Sequence, residues 1–209
     1  MGYGKRDQNS GNTTYFRVAS GKLVRSAKED TPGAVAVKNA STGETVWQLH
    51  DEWVQGRIIA LDDKDGEFGK SLTVVLDDVG SRYQVDLKDG SMYWSDFLKR
   101  LPNVDLSQDV TLFPYSIEEE GRKVPNQGVS MKQGGAKVAR AFTKENPNGL
   151  PQPVSVKFNG KDQLDWGPQN EFLVNTVLSE ARKKLGSAQP VAAVAEKGDL
   201  PWENESDPF

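Results

Sequence analysis

Residues able to do covalent chemistry are scarce in this chain. Cysteine is absent and histidine occurs once, at His50. That excludes thiol catalysis, disulfides, cysteine-based zinc sites and multi-histidine metal centres. His50 stands between two strand-like segments with no nucleophile elbow nearby and reads as a polar strand-end residue. Gly66-Glu67-Phe68-Gly69-Lys70-Ser71 ends like a phosphate loop, but the first glycine of that motif would fall on Lys64. The segment also runs into the β-prone stretch Leu72–Leu76, where a phosphate loop needs a helix to present its amides. Asp63-Lys64-Asp65-Gly66 fails as a calcium loop, because Leu61 and Leu72 occupy positions that require oxygen ligands. Asp62, Asp63, Asp77 and Asp78 form two carboxylate pairs at the ends of adjacent strands, which could hold Mg²⁺ in a nuclease. Aspartate also caps strands and fills turns, and no further group supplies a base or a clamp. The expectation is a protein without catalytic residues, metal or cofactor.

Non-covalent chemistry is better supplied. Holding a single nucleic-acid strand requires cations for phosphates and aromatic faces for bases. Trp53 and Arg57 share one face of a strand by alternation, and Phe113 and Tyr115 share a face of another. Arg122 and Lys123 follow in a loop, and Lys132, Lys137, Arg140 and Phe142 fall on a last hairpin. An aromatic residue at an alternating position also suits a core, so Trp53 and Tyr115 fit either role. Tyr83, Trp94 and Phe97 are assigned to the core. The charge distribution supports the binding set. The whole chain carries −4, yet residues 121–144 hold six basic side chains and no acid, and residues 1–28 carry +5. A merely solvated face usually mixes signs, so the acid-free segment points to a polyanion.

These residues must be positioned by a mainly β fold. Residues 1–12 read as a flexible arm. Thr13–Val18 is β-prone, with a turn around Ser20-Gly21-Lys22, and Ala34–Val37 forms a further short strand. Val46–Leu49, Trp53–Leu61, Leu72–Leu76 and Arg82–Leu87 follow as strands, with a hairpin turn at Asp65-Gly66 and a bend or bulge near Gly56. Asp89-Gly90-Ser91 starts a helix whose Trp94, Phe97, Leu98 and Leu101 share one face, and Pro102 ends it. Val110–Ile117 is a strand in which Pro114 argues for an edge or a bulge. Val129–Lys132 and Lys137–Phe142 pair around Gly134-Gly135. Three meander strands, a helix and two more strands are the order of an OB-fold, a five-stranded barrel with its helix between strands three and four. A hairpin at Asn159-Gly160 and a helix over about Pro168–Leu185 follow, with Leu173, Val177, Ala181 and Leu185 facing the barrel and Gly186 ending it. The expected organisation is an arm at 1–12, an OB-fold domain with an N-terminal extension and a C-terminal helix at 13–185, and a disordered tail at 186–209.

The tail carries the most specific signal. Residues 196–209 hold a net −4, and Trp202, Glu203, Glu205, Asp207, Pro208 and Phe209 mix acids with aromatics. A purely solvating segment would omit the aromatics, so this reads as a docking peptide. It resembles the C-terminus of bacterial and bacteriophage single-stranded-DNA-binding proteins, where an acidic tip ends in Pro-Phe or another aromatic. The close match covers the last ten or so residues; the barrel shares element order alone. The basic N-terminal extension and the added helix depart from the compact bacterial form, and the bacteriophage replication members look closer. The resemblance implies non-catalytic binding of single-stranded DNA in replication, recombination or repair. It also implies recruitment of replication proteins, such as a polymerase, primase or helicase, through the tail. An RNA-binding or adaptor OB protein is the alternative, with a metal-dependent nuclease behind it. The sequence contains no run of eighteen apolar residues and no charged-then-apolar leader, so a cytoplasmic location without a membrane span is expected. Oligomeric state is left open.

Overall fold

The computed structural model describes residues 13–39, 42–66, 69–121 and 124–188. The fold is mainly β. Its first four strands are β1 (Thr13–Ala19), β2 (Lys22–Ala27), β3 (Val35–Lys38) and β4 (Thr45–Asp51). The central three are β5 (Val54–Gly66), β6 (Gly69–Asp78) and β7 (Ser81–Lys88), followed by helix α1 (Met92–Arg100). Then come β8 (Asp109–Ile117), β9 (Asn126–Gln133) and the two-residue β10 (Ala136–Lys137). These ten strands form one sheet in the order β10-β9-β8-β5-β6-β7-β1-β2-β4-β3. A separate hairpin, β11 (Val154–Phe158) with β12 (Lys161–Asp165), turns at Asn159-Gly160 as expected. The described residues end in a continuous helical run: α2 (Gly167–Phe172), a π-helical segment (Leu173–Leu178) and α3 (Ser179–Ala188).

Three meander strands, a helix and two strands do occur in the expected order, but they do not make a five-stranded barrel. The sheet has ten strands and is open. The reason lies at β7. Its free edge pairs in parallel with β1, from Thr13↔Arg82 to Arg17↔Asp86, and so is not available to β9. The corresponding edge of β9 meets α1 instead, where Asp96 Oδ2 accepts the Val129 N–H at 3.1 Å. A side-chain carboxylate thus satisfies a backbone donor that a closing strand would otherwise take.

Alternation builds the core. Leu72, Val74 and Leu76 of β6 face the same side as Val85 and Leu87 of β7 and are fully buried. Val54 and Ile58 of β5, Val110 and Leu112 of β8, and Val129 and Met131 of β9 continue that side. Helix α1 closes it with Trp94, Phe97 and Leu98. Its start is fixed by Ser91, whose side chain accepts from Trp94 N, and Lys99 and Arg100 occupy its last turn, where the dipole favours cations. Tyr83 packs at the margin of the core, 6.2 Å from Phe16. The C-terminal helix buries Leu173, Val177 and Ala181 at four-residue spacing, with Leu185 partly buried behind them. Arg182 anchors it to β5 through the Leu61 carbonyl (2.7 Å) and Asp63 (2.8 Å). It runs past Gly186 to Ala188, two residues beyond the expected stop. Pro114 is tolerated because it lies beyond Leu112, the last residue of β8 to pair with β5, so its missing N–H removes no ladder bond there. The strand irregularity expected at Gly56 comes slightly later, as a register shift between Ile58 and Ala60.

Candidate nucleic-acid interface

The side of the sheet opposite the core presents the expected binding residues on β5, β8 and β9. Gln55 and Arg57 are exposed on β5 between the buried Val54, Gly56 and Ile58. Trp53, immediately before β5, is 54% exposed. Extending the β5–β8 register by one residue sets Trp53 opposite Phe113. Phe113 in turn pairs with Ser130 of β9, and Thr111 with Lys132. The Lys132 ammonium stands 5.1 Å from the centre of the Phe113 ring, a cation–π contact that keeps the charge over an aromatic face.

Lys137 lies directly across from Lys132 on the β9–β10 hairpin. Like charges directly opposed on an antiparallel pair are destabilising. Among the described residues no carboxylate ion-pairs with either lysine or with Arg57. The hairpin therefore holds uncompensated positive charge beside two accessible aromatic rings.

Tyr115 and Arg140 are placed differently. Both converge on Asp96, a carboxylate on α1 that is only 4% exposed. Asp96 Oδ1 takes Arg140 Nε at 2.5 Å and lies 3.4 Å from Arg100 Nε. Asp96 Oδ2 accepts from the Tyr115 hydroxyl at 3.2 Å, and Arg140 Nη2 donates to that hydroxyl at 3.2 Å. Gly128 makes the arrangement possible: a Cβ there would come within 2.2 Å of Asp96 Oδ2 and 2.5 Å of the Tyr115 hydroxyl. Burial, helped by the Asp96 charge, pushes the Tyr115 phenol above its ordinary range. The hydrogen bond to Asp96 raises Arg140 further. On the same helix Lys99 is lowered, chiefly by burial and then by the Arg140 charge. Asp96 was not singled out from the sequence: helical spacing sets it on the polar side of α1, away from Trp94, Phe97, Leu98 and Leu101, and nothing local marks it as buried. Arg140 keeps a partly open side chain, 42% exposed, at the margin of the aromatic face.

Phe142 corrects the expectation. It is buried at 8% exposure and packs edge-on against Phe172, with ring centres 5.8 Å apart. The strand expected over Lys137–Phe142 ends at Lys137. After Val138 N–H bonds the Met131 carbonyl, the chain leaves β9 and crosses onto α1. There Arg100 donates to the Val138 carbonyl, Asn103 to the Ala139 carbonyl, and Ala141 N–H to the Lys99 carbonyl. That path turns Phe142 inward. Arg122, Lys123 and the tail residues Trp202, Glu203, Glu205, Asp207, Pro208 and Phe209 lie outside the described residues.

Among the described residues no three His, Asp or Glu side chains converge as a metal site. Asp63 is taken by Arg182, and Asp77 sits in register with Arg57 and Arg82. Gly69–Asp78 is a strand and not the helix a phosphate loop would need. No described helix is long and apolar enough to cross a membrane. Comparison with protein-family models, curated proteins and solved structures finds no match.

Proposed function

We propose that this chain binds single-stranded DNA without catalysis, as a replication, recombination or repair protein of the bacteriophage type. The observation that carries the reading is the opposed pair Lys132 and Lys137, unneutralised by any described carboxylate, beside Trp53 and Phe113. Sequence-tolerant binding of a single strand uses this combination: stacking supplies about 1–3 kcal/mol per base, and phosphate contacts add a salt-dependent term. Arg57 extends the charged margin along β5, and Arg140 marks the far end. Arg122 and Lys123 belong to the same acid-free segment.

The acidic, aromatic segment 196–209 recruits replication proteins and competes with DNA for the basic face when no strand is bound. Its −4 opposes the +6 of residues 121–144. Removing residues 196–209 raises affinity for oligo(dT) and changes its salt dependence; unchanged affinity after truncation would contradict the competition. Binding of single-stranded RNA as tightly as DNA would move the assignment to an RNA-binding protein.

A further inference from the structure

A second aromatic and cationic surface lies away from the β5–β8–β9 platform, on the N-terminal strands. β1, β2, β4 and β3 extend the sheet beyond β7 and frame an open depression of about 720 Å³. Tyr15 stands in it at 58% exposure, paired with Gln84 of β7 and lying beyond the residues of β1 that pair with β2. By alternation Arg17 follows on the same side of β1, in register with Asp86 of β7. The depression is lined by four cations, Arg17, Arg25, Lys38 and Lys64, against one carboxylate, Asp86. Lys64 ion-pairs with Asp86 at 2.5 Å and Arg25 with Asp51 at 3.1 Å. Arg17 and Lys38 have no carboxylate partner among the described residues.

This depression opens on the same side of the sheet as the Trp53–Phe113 platform. Strand registers connect the two: Arg57 of β5 pairs with Asp77 of β6, Asp77 with Arg82 of β7, and Arg82 with Thr13 of β1, two residues before Tyr15. Exposed arginines therefore flank Asp77 on the strands between the two aromatic sites. From β8 to β1 is four interstrand steps, about 19 Å across the sheet, and the registers set Tyr15 six residues, about 20 Å, farther along the strand direction than Trp53, so a strand must run diagonally over about 28 Å to touch both.

We propose that the Tyr15 depression is a second stacking subsite for the same DNA strand. Bound DNA then runs from Trp53 and Phe113, past Arg57 and Arg82, to Tyr15, with Arg17 and Lys38 taking the phosphates there. The inference rests on the single-strand reading above and adds a length requirement to it. A strand too short to span both sites uses the platform alone.

The test compares fluorescence-anisotropy titrations of the full chain with labelled oligo(dT) of about four and about sixteen nucleotides, the range of known site sizes. Tyr15→Leu and Lys38→Glu are expected to weaken the long oligonucleotide by about five- to a hundredfold and leave the short one unchanged. Tyr15→Phe, which keeps the ring, retains wild-type binding and serves as the folding control. Trp53→Leu weakens both lengths. If Tyr15→Leu and Lys38→Glu leave long-strand affinity intact while Trp53→Leu lowers it, the second subsite is overturned and the single-strand reading stands. Equal loss on both lengths would overturn the two-site path. A change in oligomeric state on Tyr15→Leu with DNA affinity preserved would assign the face to a second copy of the chain and overturn the proposal. Failure of the wild-type chain to bind either length would remove the reading beneath it.

Discussion

Asp96 gathers the polar interior: one buried carboxylate answers Arg100, Arg140, the Tyr115 hydroxyl and the Val129 amide. Asp96→Asn keeps the shape and removes the charge, leaving the guanidinium of the buried Arg100 without its counter-ion. Breaking a buried pair in this way costs about 3–5 kcal/mol, so the urea midpoint should fall steeply. Tyr115 gives a pH signature. Its phenol is raised in the folded chain, so above about pH 10 the unfolded state ionises first and binds fewer protons. Folding stability therefore declines with rising pH in that range. Urea titrations across it should show a shallower decline for Tyr115→Phe. Trp53 behaves in the opposite manner. Being largely exposed, Trp53→Ala should change stability by no more than about 0.5 kcal/mol while weakening oligo(dT) binding by about 1–3 kcal/mol, read by paired denaturation and binding titrations.

Elements explain why the sheet opens. The N-terminal hairpin turns at Ser20-Gly21 and lays β1 against β7. Gly21 has φ +74°, donates to the Tyr93 hydroxyl at 2.8 Å, and lies where a Cβ would come within 2.5 Å of Ser116 N. Gly21→Ala combines left-handed strain with a backbone clash and should cost about 2 kcal/mol or more in chemical denaturation. Most elements were legible because alternation and turn chemistry are local: Asp89-Gly90-Ser91 announced α1, and Asn159-Gly160 announced the β11–β12 turn. The parallel β1–β7 pairing was not, since no local pattern records which edge a strand will join. Phe142 was misplaced for a related reason. The hairpin pattern continued in the sequence, but hydrogen bonds from Arg100 and Asn103 draw residues 138–142 onto the helix. The exposure of Lys132 and Lys137 was legible from the acid-free run, and alternation set Phe113 on a face of its strand, whereas Trp53 read equally as core until its 54% exposure decided it.

Over the whole molecule, the proposed competition between tail and DNA rests on charge segregation in the sequence. A chain of net −4 keeps an acid-free +6 segment and an acidic segment of −4. Long-range attraction between them is screened by salt, with a Debye length of about 8 Å at physiological ionic strength. The truncation effect proposed above should therefore be largest at low salt and fade as salt is added, which binding titrations of both chains would show. Lys132→Gln and Lys137→Gln should each weaken binding about uniformly across base sequences and reduce the salt slope by about 0.7. The central claim is most directly tested by quenching of tryptophan fluorescence by oligo(dT) and by duplex DNA over a range of salt, in wild type and Trp53→Phe. The account predicts strong, salt-sensitive quenching by oligo(dT), weak quenching by duplex, and loss of much of the signal in Trp53→Phe. Equal quenching by duplex, or none by oligo(dT) at low salt, would contradict it.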